Sequence, residues 1–147
     1  MISLYMKNTF AYGLVVYKVI DSQIVYLLLK SVNTQEWGFP KGHVDSTDNS
    51  KIQTALRETF EETSLSDLAL DYSSSFNLVY FVNKNTTQKH VGYFPAKLLS
   101  GEVELSDEHS DFIWKDLQSS LSLIKHENLK ELLINVDSKM RLFNGLQ

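Results

Sequence analysis

The chain has 147 residues, 43% of them hydrophobic, and its 14 basic and 18 acidic side chains leave a formal charge of −4. That length suits a single domain over residues 1–147 whose core needs no staples, and the absence of cysteine excludes disulfides, thiolate metal ligands and a cysteine nucleophile. No apolar stretch nears the ~20 residues that cross a bilayer, the opening MISLYMKNTF lacks a basic head and long apolar run, and there are only two arginines, so membrane spanning, signal-led secretion and general nucleic-acid binding are not expected.

Residues 9 to 20 and 24 to 30 are rich in β-branched and aromatic side chains and flank the polar turn Asp21-Ser22-Gln23, which predicts a hairpin. After the polar stretch Ser31 to Gln35, the run Trp37-Gly38-Phe39-Pro40-Lys41-Gly42-His43-Val44 mixes aromatics, glycine and proline and reads as a shaped loop. Residues 45 to 50 hold only capping and turn types, so a helix is expected from Ser50 through Thr63, with Ile52, Ala55, Leu56 and Phe60 as its core face. Strands are expected over 76–82 and 91–98, joined by the polar turn 83–87, and a short one over 112–115. From Leu117 to Leu142 the apolar spacing becomes helical. This order of hairpins and helices predicts an α+β layered fold.

Within the first helix, Glu58, Glu61 and Glu62 stand at i, i+3 and i+4 and crowd three negative charges onto one patch, which Arg57 relieves only in part. Such a patch is either a solvated acidic face or a site for a hard divalent cation, which takes oxygen ligands and commonly bridges carboxylates and substrate phosphates. The loop just before the helix favours the cation, because Gly42 lets backbone approach a ligand closely and its carbonyl could join the metal shell. A metal ion would also let an acidic chain accept a polyanionic ligand. Lys41 could meet phosphate oxygens as a point charge, and His43, beside the metal loop, could donate to a phosphate or orient a carboxylate.

The stretch from Gly42 to Leu65 resembles the Nudix box, with Gly42, Arg57, Glu58, Glu61, Glu62 and Leu65 on its pattern. Asp48 stands where the family has glutamate, one residue further from Arg57 than usual, Ser64 replaces the terminal glycine, and Thr59 fills an apolar slot. These departures fall on the link between the start of the box and the helix, and on the helix exit. Beyond the box, Trp37 to Val44, Thr54 to Thr59, Lys89 to Lys97, and Ser106-Asp107-Glu108-His109 with Trp114 resemble the asymmetrical diadenosine tetraphosphate hydrolases.

The resemblance implies a Nudix fold, a mixed β-sheet sandwiched between helices, and Mg²⁺-dependent hydrolysis (Mn²⁺ substituting) of a dinucleoside polyphosphate, with diadenosine tetraphosphate giving ATP and AMP. It implies Gly42, Glu58, Glu61, Glu62 and Glu108 as metal ligands, Arg57, Glu58 and Glu108 as the catalytic group, and leaves the general base open between Glu58 and Glu108. Lys89 matches a family lysine and could meet phosphate, and two positions are expected to stack on a base: Phe81, with Tyr80 close behind, and His126, where tyrosine or phenylalanine is usual. A cytoplasmic monomer or homodimer is expected.

Two other readings compete. The Trp37-to-Pro40 loop also resembles Nudix enzymes that remove pyrophosphate from the 5′ end of RNA, with cleansers of oxidised nucleoside triphosphates a further choice. From a different class comes a nucleotide-binding module with weak or no turnover, suggested by the irregular box at Asp48 and Ser64.

Overall fold

The computed structural model describes residues 6–71 and 75–147. Residues 1–5, the front of the opening segment read above, lie outside the described residues. An eight-stranded mixed sheet separates two helical layers. Strand β1 (Lys7–Ile20) turns back into β2 (Gln23–Ser31) through Asp21 and Ser22, both at positive φ, the twist that a two-residue hairpin loop requires. The predicted hairpin is therefore present. The 37–44 loop is partly regular: it contributes β3 (Trp37–Gly38) on β2 and β4 (Lys41–His43) on β1. These short pairings with β2 and β1 satisfy backbone groups that a free loop would leave to water.

Helix α1 (Lys51–Thr63) begins where expected, its N-terminus capped by the Ser50 hydroxyl, which accepts from the Gln53 amide at 3.1 Å. After it come β5 (Asp67–Leu70), which the sequence reading did not foresee, β6 (Phe76–Val82) and β7 (Thr87–Ser100). Strand β7 is longer than the predicted 91–98 because it runs parallel to β1 over residues 87–97 while pairing first β6 and then β5 on its other side. Strand β8 (His109–Lys115) pairs β2. The final helix is two, α2 (Leu117–Leu123) and α3 (Glu127–Phe143), broken by Ile124 and His126 in extended conformation.

Alternation along the strands builds two cores. Leu14 and Val16 of β1 join Leu27, Leu29 and Ala55 beneath α1, whereas Val15 and Tyr17 join Leu132, Leu133, Val136 and Met140 beneath α3. The predicted core face of α1 needs one correction: Phe60 is 55% exposed, and the buried positions are Thr54, Ala55, Thr59, Glu62 and Thr63. The inner face of this helix is thus half polar. Part of that polarity is a site.

Candidate active site

Arg57 is the hub of the first half of α1. Its Nε and Nη2 donate to the two oxygens of Asp48 at 2.9 and 2.8 Å, and Nη2 also donates to the His43 carbonyl at 3.0 Å. Asp48 in turn accepts from the Thr54 hydroxyl and the Asp45 amide, both at 2.9 Å. The guanidinium holds the Asp48 carboxyl well below the usual carboxylate range. The shorter aspartate reaches Arg57 despite the extra residue because residues 45–48 close a turn, with the Asp48 amide on the Asp45 carbonyl at 3.0 Å. Ser64 absorbs the other departure, taking φ 65 at the helix exit and donating its amide to the Phe60 carbonyl at 2.8 Å.

The remaining Arg57 nitrogen, Nη1, donates to Glu58 at 2.8 Å and to Glu61 at 3.2 Å. Gly42 lies directly against the Glu58 carboxylate: a β-carbon there would fall 2.0 Å from Glu58 Cδ, so any other residue would displace that carboxylate from its place beside the strand. This close approach, rather than a special backbone angle, explains the glycine.

Glu62 is different. It is 3% exposed, and burial together with the nearby charges of Glu58 and Glu108 pushes its carboxyl up to about 8. The Lys41 amide and ammonium offset only part of this. Glu108 comes close because the preceding loop is tied to the end of α1, with the Glu104 amide on the Thr63 carbonyl at 2.9 Å and the Ser106 amide on the Glu62 carbonyl at 3.2 Å. His109 Nε2 lies 3.7 Å from Glu62 Oε1, and its buried Nδ1 has no hydrogen-bond partner among the described residues. In the sequence His109 stands out only as part of the Ser106-to-His109 resemblance. Its contact with Glu62 depends on a loop whose path no local spacing reveals.

Basic side chains border this acidic group. Lys41 is pulled below its ordinary pKa by burial and by Lys89, and His43 by partial desolvation and by Lys89 and Lys41. Three of the predicted phosphate-binding side chains are therefore near one another. Register explains their meeting: Lys41 and His43 pair with Gly13 and Ala11 of β1, while Lys89 pairs with Thr9 of that strand.

The two predicted stacking residues are not brought together. On β6, Phe76, Leu78 and Tyr80 pack toward the α3 core, and Tyr80 stands opposite Lys89. Phe81 alternates to the other face of the sheet and is 51% exposed. His126 sits at the start of α3, its Nε2 2.8 Å from Glu36 Oε2. Tyr80 therefore shares the α3 side with His126 and Lys89, and Phe81 does not. The apolar alternation of β6 was the signal that could have chosen between these neighbours.

Oxygen donors with uncompensated negative charge fit a hard divalent cation. Among the described residues no three acidic or imidazole side chains are already gathered closely enough to hold one, since Arg57 Nη1 draws Glu58 and Glu61 to itself. Arg57 has an independent anchor in Asp48, so both glutamates can exchange that contact for an ion without freeing the guanidinium.

A model of the NUDIX domain matches residues 10–135. The bis(5′-nucleosyl)-tetraphosphatase [asymmetrical] of Caenorhabditis elegans is 33% identical over 125 residues, 84% of this chain and 90% of that protein. The Rattus norvegicus protein of the same name is 37% identical over 121 residues, covering 79% and 80%. The crystal structure of a C. elegans Ap4A hydrolase binary complex superposes with a TM-score of 0.85 at 30% identity, over 92% of this chain and 99% of that one.

Proposed function

This chain belongs to the Nudix family, and we propose that it hydrolyses dinucleoside tetraphosphates asymmetrically, converting diadenosine tetraphosphate to ATP and AMP with Mg²⁺ as cofactor. The observation that carries this reading is the juxtaposition of the acidic cluster at Glu62 with the basic strip of Lys41, His43 and Lys89. A phosphate chain needs cations on both sides, and the strip supplies one side from the protein. Glu58, Glu61, Glu62 and the Gly42 carbonyl would hold the ion on the other, with the Glu108 carboxylate beside them. When bound it screens phosphate charge and acidifies a coordinated water.

The protein's own groups divide the remaining work. Lys41 and Lys89 hold the chain as point charges, and Tyr80 with His126, rather than Phe81, offers rings to one base. Glu58 accepts from Arg57 and is pressed beneath Gly42, whereas no hydrogen bond or ion pair ties the Glu108 carboxylate among the described residues. A carboxylate already holding an arginine proton is the poorer base, so Glu108 takes the proton from the attacking water. The water oxygen joins phosphorus as a bridging P–O bond breaks.

The test is incubation of purified protein with diadenosine tetraphosphate, with and without Mg²⁺, followed by separation of nucleotides. Equal amounts of ATP and AMP, formed only with metal, are expected. Two ADP per substrate would refute the asymmetrical cut. Faster pyrophosphate release from 5′-triphosphorylated RNA would move the protein to the RNA-processing branch, and tight binding of the dinucleotide without cleavage would make it a sensor.

A further inference from the structure

On the α1 side of the sheet lies a groove of about 580 Å³ between the start of β1, the end of β4 and the first turn of α1. None of the catalytic or phosphate-holding roles assigned to Glu58, Glu62, Glu108, Lys41 and Lys89 uses it. Phe10 in its wall is 46% exposed, and its ring is backed by His90 in a stack at 4.8 Å and 16°. Tyr12 and Val44 complete the apolar lining, with the Lys51 ammonium 5.7 Å from the Tyr12 ring. Pockets of roughly 300–1,000 Å³ with apolar walls and a few polar groups suit small organic ligands, so a nucleoside is within its capacity.

Two features join this groove to the acidic cluster. Thr54 in its wall precedes Glu58 by four residues, one turn along the same face of α1. His43 belongs both to its rim and to the basic strip with Lys41 and Lys89. A substrate lying along that strip with one base toward Tyr80 and His126 carries its other nucleoside away from them, past His43. We propose that the groove between Phe10, Tyr12 and Lys51 binds the distal purine nucleoside of the dinucleotide, its ring against Phe10 and its nearest phosphate toward Lys51 and His43. This inference rests on the dinucleotide reading of the site.

Diadenosine tetraphosphate and adenosine 5′-tetraphosphate separate the two, since the second has the same phosphate chain and no distal nucleoside. Stacking of one base is commonly worth about tenfold or more in affinity. Phe10→Ser should therefore lower kcat/KM on the dinucleotide about tenfold, mainly through KM, and leave the mononucleoside substrate within about twofold. Phe10→Leu, which keeps apolar bulk, should fall between. Equal losses on both substrates, or none on either, would overturn the proposal. A readout without turnover is AMP titrated into metal-free protein while the Phe10 and Tyr12 ring protons are followed by NMR. Saturable shifts at both rings in the parent, with the Tyr12 shift lost in Phe10→Ser, support the groove, and unmoved resonances discard it. If neither tetraphosphate is cleaved, the proposed activity fails while the AMP titration still decides the groove.

Discussion

Helix α1 carries two charged clusters five residues apart that are compensated in opposite ways. Around Arg57, two Asp48 oxygens, a backbone carbonyl and two glutamates satisfy one guanidinium. Around Glu62, a buried carboxylate faces Glu58 and Glu108 with one lysine in partial answer. The first is closed within the protein and fixes the β4 loop to the helix. The second lacks positive charge, a state that costs folding energy and is relieved by a cation. The guanidinium that holds the fold is saturated, whereas the buried carboxylate at the centre of the ligand site is left short of positive charge.

The largest way to break this contrast is Glu62→Gln, which keeps shape but cannot ionise to hold a cation. Turnover of diadenosine tetraphosphate should fall by two or more orders of magnitude, measured as ATP release under saturating Mg²⁺. The same variant should change metal-free stability in the opposite direction. Folded Glu62 keeps its proton up to about pH 8 against an ordinary 4.5, so the unfolded chain loses that proton first. Stability of the metal-free parent should therefore decline between pH 4.5 and 8, by on the order of a few kcal/mol, and level off above. Urea titrations across that range should show the slope in the parent and its loss in Glu62→Gln.

Asp48→Asn attacks the closed cluster and should lower the urea midpoint at neutral pH, with the difference from the parent shrinking in strong acid, where Asp48 itself protonates. Some activity should survive, because the acidic ligands remain. An unchanged midpoint would show that Arg57 finds equal support elsewhere.

Two smaller changes sharpen the comparison without touching charge. Thr59 is fully buried, and its hydroxyl has no hydrogen-bond partner among the described residues. Thr59→Val should raise stability by about 1 kcal/mol with kcat unaltered. Ser64→Gly should add a few tenths of a kcal/mol, because glycine enters the left-handed exit without the clash of a β-carbon. Thermal midpoints read both, and a loss in either case would refute the local account.

Much of the fold was legible because local rules act over few residues. The Ser50 cap, the α1 span and the Asp21-Ser22 turn follow from capping and turn chemistry, and β6 begins and ends where predicted. Errors came where a distant partner decided. The end of the chain kept a helical pattern through Ile124 to His126, but packing both α2 and α3 on the sheet required a break there. Phe60 fits an apolar stripe by spacing, yet the buried positions of that turn are Thr59, Glu62 and Thr63. Strand β5 is only four residues with two exposed, too short and mixed to announce itself.

The sequence alone determined the spacing of Glu58, Glu61 and Glu62 and the family resemblance, since helical periodicity fixes which carboxylates share a face. Tertiary structure decided which of these charges are neutralised. Asp48 reaches Arg57 through a turn, Glu108 arrives on a loop tied to the end of α1, and Lys89 meets Lys41 and His43 only because β7 runs parallel to β1. Electrostatic balance depends on distance through space and on burial, and neither is written in the order of residues along the chain.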